Sequence, residues 1–368
     1  MFALLRAMLL IALLPVPLGA QTIRVASFNA ALGRDGPGLL LRDITNGKDD
    51  QIAAVVGVIA HTAPDILALQ SIDWDHDGAA LAALAAVLRD AGVDYPHRFT
   101  AQPNSGLASD LDLDGDGRLG GPGDAQGYGN FTGQKGMAVL SRYPIRTGEI
   151  RDLSPLLWRD LPGALLPLHA DGSPFPSAAA QAVQRLSYTA HWVVPIALPG
   201  PRDLTLLTFY ASPPVFDGPE KRNQRRNHDE ILLWQALLDG ALGPVPENVV
   251  LAGGANLDPF DSDGQRDAIR RLLADPRLKD PAPASIGAAL AADQGHRGPN
   301  ALDTVDWPKV GRLRVDYVLP SSDWRVRDAG VFWPAPGEPG HDIALAASRH
   351  RLVWVDLALD IDRPAPPR

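Results

Sequence analysis

The apolar positions of the chain fall into short runs that end in polar clusters, separated by segments with helical spacing. "TIRVASFNA" (Thr22 to Ala30) reads as a strand ending in a polar turn at Asn29. Ile52, Val55, Val56 and Ile59 then recur at helical spacing. Pro64 starts "PDILALQSID", a buried strand running into polar residues, and Leu81, Leu84 and Leu88 mark a second helix. "KGMAVLSRYPI" (Lys135 to Ile145) is a strand stopped by Pro144, and "DLTLLTFYASPP" (Asp203 to Pro214) is one closed by prolines. "NHDEILLWQALL" (Asn227 to Leu238) reads as a helix. Strands are predicted at Val249 to Ala252, Arg312 to Leu319 and Arg351 to Leu357. "PAPASIGAAL" and the Gly/Pro-rich stretch Pro334 to Gly340 read as loops, as does the small-residue turn Gly253-Gly254-Ala255.

This alternation places the chain in the α/β or mixed α+β class. No repeat and no flexible interdomain linker interrupts it. Several predicted strands end in polar groups: Asn29, Gln70-Ser71, Tyr210, Gly254 to Asn256 and Asp316-Tyr317, with His350 just ahead of the last strand. One such end is an ordinary solvated strand end. A whole series is what a site built on loops at one edge of a rigid sheet requires.

Composition changes this picture in a few ways. The chain has 368 residues, 45% hydrophobic and 21% charged, a globular composition with ample core. A net charge of −9 provides no basic field for nonspecific nucleic-acid binding. There is no cysteine, which excludes disulfides, thiol catalysis and cysteine-ligated metal. Residues 1–20, "MFALLRAMLLIALLPVPLGA", carry Arg6 ahead of an apolar segment and end in small residues. They read as a secretory signal peptide, leaving a mature domain over 21–368 that is secreted or periplasmic and not held in a membrane. An uncleaved anchor is the alternative. No later segment reaches the roughly 20 apolar residues of a transmembrane helix.

"DLDLDGDGRLGGPGDAQG" (Asp110 to Gly127) places Asp112, Asp114 and Asp116 at positions 1, 3 and 5 of a calcium loop, with Gly117 at position 6. Position 12, where a Glu belongs, is Gly123, and Asp124 follows. The flanks are glycine-rich, so this is not an EF-hand. It is a candidate structural Ca²⁺ loop, with a solvated acidic turn as the plain reading. In "PPVFDGPEKRNQRRNHDE" (Pro213 to Glu230), Arg222, Arg225, Arg226 and His228 are either an anion cradle or a solvated basic face paired with Glu220, Asp229 and Glu230. His191-Trp192 reads as a packing pair.

Taken in order, "TIRVASFNA", "LALQSID", "GMAVLSRYPI", the strand ending at Tyr210, "AGGAN", "RVDYVL" and "SRH" resemble the motif series of the endonuclease/exonuclease/phosphatase superfamily, over residues 21 to 360. The resemblance implies a four-layer α/β sandwich, two packed mixed β-sheets flanked by helices. It also implies a phosphoester hydrolase using Mg²⁺ or a similar divalent ion, in which the metal neutralises the phosphate and leaving oxygen. Histidines there donate to phosphoryl oxygens, and an Asp fixes the tautomer of one of them. By that resemblance Asn29 is a metal-site or network residue, Asn256 is the Asn of "GDFN", Asp316 orients the terminal histidine, and His350 is that histidine.

This sequence departs from the family pattern at several positions. Ser71 stands for a metal-binding Glu, Tyr210 for a His, Gly254 for the Asp of "GDFN", and Arg349 for the Asp of a terminal "DH". Acids are lost and a cation is added, which a hard divalent ion does not favour. Gln70, Asp73, Asp75 and Asp77 lie near Ser71 in sequence as alternative oxygen donors. Two functions therefore compete: a phosphoesterase with an altered ligand set, or a pseudoenzyme that binds a phosphorylated ligand or a partner. A small phosphoester is favoured over nucleic acid as the molecule recognised.

Overall fold

The structure is a computed structural model, and it describes residues 22–200 and 202–359. The predicted signal segment lies outside the described residues. The first half of the chain runs β1 (Thr22–Leu32), α1 (Leu39–Asn46), α2 (Asp50–Thr62), β2 (Ile66–Ile72), α3 (Ala79–Asp90), β3 (His97–Phe99), β4 (Gly136–Ser141), β5 (Arg151–Asp152) and α4 (Ala178–Val183). The second half runs β6 (His191–Ile196), β7 (Leu204–Tyr210), α5 (Arg222–Leu238), β8 (Val249–Gly254), α6 (Asp267–Leu273), α7 (Ile286–Leu290), β9 (Val305–Trp307), β10 (Gly311–Leu313), β11 (Asp316–Pro320), β12 (Val326–Val331), α8 (His341–Ala347) and β13 (Val353–Ala358).

The strands form two large mixed sheets. One has the order β12-β13-β1-β2-β4-β3 and the other β11-β8-β7-β6-β5. At the centre of each is one parallel pair, β1–β2 or β7–β8, with antiparallel strands on both sides. Strand alternation sorts the side chains into layers. Ile23, Val25, Ile66, Ala68, Leu204, Leu206, Val250, Ala252 and Val318 face the interior between the sheets. The intervening Ala26, Phe28, Leu67 and Leu69 pack against α2 and α3, through Val55, Ile59, Leu84 and Leu88. Leu207, Phe209, Leu251 and Leu319 pack against Trp234 and Leu237 of α5 and Ile269 of α6. The result is helices, sheet, sheet, helices: the two mixed sheets flanked by helices that the resemblance implies.

Several predicted boundaries move. The strand expected over Arg312 to Leu319 is broken at Arg314-Val315; β10 pairs with β9 in a separate hairpin, and β11 joins the second sheet. "PAPASIGAAL" is not all loop, because Ser285 caps the short α7 through Ala288 N (3.2 Å). Gly253 and Gly254 do not form a turn. They are the last residues of β8, neither has left-handed backbone, and the chain turns at Asn256 (φ 51°). Gly253 is required by packing, since a Cβ there meets the carbonyl oxygen of Phe209. β1 likewise continues past Asn29 to Leu32, with a register break against β2 after Asn29.

Candidate functional site at the edge of the two sheets

Parallel strands end at the same edge, and antiparallel neighbours begin there. The pairs β1–β2 and β7–β8 therefore deliver their C-terminal residues to one edge, while β4, β11 and the approach to β13 start from it. On β1, alternation carries Ile23 and Val25 on to Ser27 and Asn29. On β7 it carries Leu204 and Leu206 on to Tyr210. On β8 it carries Val250 and Ala252 on to Gly254, and Asp316 opens β11. Asn29, Tyr210, Gly254 and Asp316 thus end the rows that face between the sheets. Gly254 lies directly between Tyr210 and Asp316 across the strands.

The best-ordered part of this edge is a dyad. Asp316 is fully buried, and its Oδ2 accepts from His350 Nδ1 (2.8 Å) and Thr304 Oγ1 (2.9 Å). A carboxylate only accepts, so His350 carries its proton on Nδ1 and leaves Nε2 for a ligand. Thr304 Oγ1 also accepts from Val315 N (3.0 Å) and Asp316 N (3.1 Å), which holds the strand break in shape. Trp307 packs its ring edge-on to His350, with centroids 5.6 Å apart. The second carboxylate oxygen, Asp316 Oδ1, is buried with no hydrogen-bond partner among the described residues.

That oxygen points at Gly254. A Cβ on Gly254 would lie 3.4 Å from Asp316 Oδ1 and 3.1 Å from Tyr210 Cδ2. A side chain at 254 would therefore begin in tight contact with the edge of the Tyr210 ring. Burial pushes the Tyr210 phenol above its ordinary value; hydrogen bonds from Asn29 and Asn256 act against this, and the Asp316 charge acts with it. Asn256 is fixed by donating to Ala211 O (2.8 Å), and Asn29 Oδ1 accepts from Ala31 N (3.2 Å). Tyr188 stands edge-on to Tyr210, with centroids 6.3 Å apart.

Ser71 is buried at a bulge in β2 with φ 59°. The oxygens near it in sequence are committed elsewhere. Gln70 lies between the sheets, accepting from Ser27 Oγ (3.3 Å) and donating to Ala68 O (3.1 Å). Asp73 accepts from Arg34 N (2.8 Å) and Lys135 N (2.9 Å). Asp75 caps α3 through Ala79 N (2.7 Å) and Ala80 N (2.8 Å), and Asp77 is exposed. None of these side chains is turned toward Ser71 as a substitute ligand. Arg349, next to His350, and Lys135, next to the start of β4, are both exposed.

The basic segment of α5 is neither an anion cradle nor a solvated face. Arg226 is buried and donates to the carbonyls of Gln126 (2.5 Å), Arg185 (3.0 Å), Leu186 (2.8 Å) and Ser187 (2.9 Å). Glu230 is fully buried and accepts from Tyr188 N (2.5 Å), Ser212 N (2.7 Å) and Ser212 Oγ (2.6 Å). Burial pushes its carboxyl up to about 7. His228 pairs with Asp229 (2.8 Å), Arg222 donates to Gln184 Oε1 (3.0 Å), and Arg225 to Glu220 O (3.1 Å). These groups tie α5 to the segments on either side of Tyr188 and Tyr210. His191 and Trp192 are both buried, as expected of a packing pair.

In the aspartate-rich loop, Asp112, Asp114 and Asp116 each bring an oxygen within 4.8 Å of the others. Asp124 does not join them as predicted; it is buried and accepts from Leu113 N (3.0 Å) and Gly121 N (2.9 Å), so it shapes the loop. A side chain at Gly123 would meet the Asp114 carboxylate, which would have to swing aside for it. Burial raises the Asp114 carboxyl above its ordinary value, and the charges of Asp116, Asp124 and Asp112 add to this.

The model of the Endonuclease/Exonuclease/phosphatase family matches residues 26–350, from β1 through the dyad histidine. The chain belongs to that family. Among solved structures, an endonuclease/exonuclease/phosphatase from Beutenbergia cavernae DSM 12333 is similar with a TM-score of 0.53 and 19% identity, over 92% of this chain and 72% of that one. A family protein from Leptotrichia buccalis C-1013-b gives 0.50 and 15%, over 92% and 100%. Sphingomyelinase C from Streptomyces griseocarneus gives 0.50 and 18%, also over 92% and 100%. At these identities the likeness is one of fold. No curated protein matches the chain. The residues that motif order did not reveal are Thr304, Trp307 and Tyr188. They sit in segments without a strong apolar period, and only the folded arrangement puts them against Asp316, His350 and Tyr210.

Proposed function

We propose that this chain keeps the phosphoryl-binding scaffold of its family and has lost most or all of the metal-dependent hydrolysis. One observation carries the reading: position 254 has no side chain, and the Tyr210 ring and the Asp316 carboxylate stand tight around where one would begin, with a Cβ 3.1 Å from the ring and 3.4 Å from Asp316 Oδ1. The donors around position 254 are the Tyr210 phenol, the Asn29 and Asn256 carboxamides and the free nitrogen of His350, with exposed Arg349 the chain neighbour of that histidine. This set suits the oxygens of a phosphoryl group. It fits a hard divalent ion poorly, because such an ion is held mainly by carboxylates and the one carboxylate here, Asp316, is committed to His350 and Thr304. The Asp316 carboxylate is held by His350 and Thr304 on one side and faces Gly254 on the other.

The test is turnover by the full chain with Mg²⁺, Mn²⁺ and Ca²⁺ on a general phosphodiester, a phosphomonoester and plasmid DNA. We expect rates at background, unchanged by His350→Ala, and inorganic phosphate binding weakened by the same change. Robust turnover abolished by His350→Ala would overturn the reading. Two further proposals accompany it. The chain is exported with Gln21 as the mature N-terminus, checked by N-terminal sequencing of the secreted protein. Asp112, Asp114 and Asp116 hold a structural Ca²⁺, checked by a drop in thermal midpoint with chelator that Asp112→Asn abolishes.

A further inference from the structure

Asp303 sits at the root of the β9–β10 hairpin, immediately before Thr304. It is buried, and its Oδ2 has no access to solvent and no hydrogen-bond partner among the described residues. Its acidic neighbours are Asp258 and Asp261 from the loop after β8, and Asp293 from the segment after α7. Each of these neighbours is satisfied. Asp258 accepts from Phe260 N (2.6 Å), Asp261 N (2.8 Å) and Arg314 N (2.9 Å). Asp261 accepts from Arg297 N (2.9 Å) and Gly298 N (2.8 Å). Asp293 pairs with Arg312 (2.9 Å), and His296 lies 3.8 Å from it. Arg312 also reaches Asp306 of β9 (3.5 Å), and Arg314 is bound to Asp280 (2.6 Å). Both guanidiniums are thus engaged through their terminal nitrogens, their buried Nε atoms reach no acceptor among the described residues, and Asp303 is the carboxyl left over.

Its position gives this a consequence. The break between β10 and β11, which aims Asp316 at His350, is fastened from two sides. Asp258 holds Arg314 N, and Thr304 holds Val315 N, Asp316 N and the Asp316 carboxylate. Asp303 adjoins both fasteners, as the chain neighbour of Thr304 and the charge neighbour of Asp258. The same short segment backs His350 directly: Val305 bridges to it, and Arg351 N donates to Thr304 O (2.7 Å).

We propose that Asp303 is a proton-operated positioning residue: neutral, it lets Asp258 and Thr304 close on the strand break that aims Asp316 at His350, and ionised, it loosens that clamp. Burial, with the charges of Asp258, Asp293 and Asp261, pushes its carboxyl up to about 7, against the pull of Arg312. The device therefore changes state near neutral pH. The sign is fixed by linkage. A carboxyl whose folded value lies above its ordinary one favours the fold while protonated, and that stability drains as pH rises from about 4 toward 7.

The experiment follows the His350 ring by ¹⁵N-histidine NMR of the full chain from pH 5 to 9, its signal assigned with His350→Gln. Deprotonation of His350 at Nε2 leaves the Nδ1 proton in place, so loss of the Nδ1–H signal reports the dyad geometry and not the titration of the ring. In the wild type we expect this signal to be sharp at pH 6 and broadened or lost by pH 8. Asp303→Asn, and Asp303→Ser if Asn is poorly accommodated, should keep it sharp at pH 8 and raise the thermal midpoint there but not at pH 4. A pH step that persists in both variants overturns the proposal. So does a wild-type step that moves with added Mg²⁺ or Ca²⁺, which would make Asp303 part of a cation site. These readouts do not involve turnover or phosphate binding, so the proposal can fail independently of the proposed function.

Discussion

The β1–β2 and β7–β8 halves share one topology and meet at one edge, but they are filled differently. Behind β1–β2, α2 buries Ile52, Val55, Val56, Val58 and Ile59. Behind β7–β8, the first turns of α5 bury Arg226, Asn227, His228, Asp229 and Glu230 before the apolar residues begin. At the site edge, Ser71 keeps a small hydroxyl on a strained bulge, while Gly254 lies against the edge of the Tyr210 ring. One half is backed by apolar contact from the start of its helix. The other adds to its apolar contacts a buried polar network at the start of α5, where removing one partner strands others.

The largest expected contrast comes from placing an acid on each side. Gly254→Asp forces a Cβ against Tyr210 and a charge beside the buried Asp316 oxygen, and should cost about 3–5 kcal/mol. Ser71→Glu also places a carboxylate at a buried position, but one that already carries a Cβ, and should cost less, about 2–3 kcal/mol. Denaturant unfolding of both variants, and of Gly254→Asp with Tyr210→His, measures this. Equal costs on the two sides, or no recovery in the double variant, would erase the difference drawn here.

The next contrast is in acid. His191 is fully buried between Ser187 Oγ (2.7 Å) and the Glu230 carbonyl (3.0 Å), and burial pushes its ring down to about 3 from an ordinary 6.5. Its folded value lies below its unfolded one. Its contribution is therefore complete above pH 6.5 and is lost as pH falls toward 3, on the order of 3 kcal/mol by pH 4 at 1.36 kcal/mol per unit. A shallower acid limb in the stability–pH curve of His191→Gln checks this. A smaller effect is expected at Thr304→Val, which takes an acceptor from two N–H groups and leaves Asp316 Oδ2 with His350 alone, and should cost about 2–3 kcal/mol. Its counterpart between the sheets, Ser27→Ala, breaks only the 3.3 Å bond to Gln70 and should cost about 1 kcal/mol. The smallest effect is a gain: Ser71→Gly relieves the left-handed backbone and should stabilise by about 0.5–1 kcal/mol.

The same division governs what could be read from the sequence. The apolar runs of β1, β2, β4, β7 and β8 announced strands, because burial on both faces leaves little else for them to be. Tyr210 and Gly254 close such runs, Asn29 lies near the end of one, Asp316 opens one and His350 stands just before one, and their order is read from the resemblance to the family's motif series. The buried face of α5 could not be read, since a string of charges has the composition of a solvated helix and only its partners in other segments say otherwise. The break at Arg314-Val315 was hidden because Thr304 and Asp258, which cause it, are distant in sequence. The tight contact at Gly254 was hidden for a similar reason: the ring that makes it comes from the neighbouring strand.

The closeness of Tyr210 and Gly254 also makes the two positions a single unit of change. The backbone at Gly254 is ordinary strand and would accept any residue, so nothing in the main chain restricts what stands there. The restriction is a neighbour's side chain. A side chain added at 254 alone presses on the ring, and a ring removed alone leaves the buried Asp316 oxygen facing open space. Substitutions at the two positions are therefore expected to be non-additive, each better tolerated in the presence of the other than by itself.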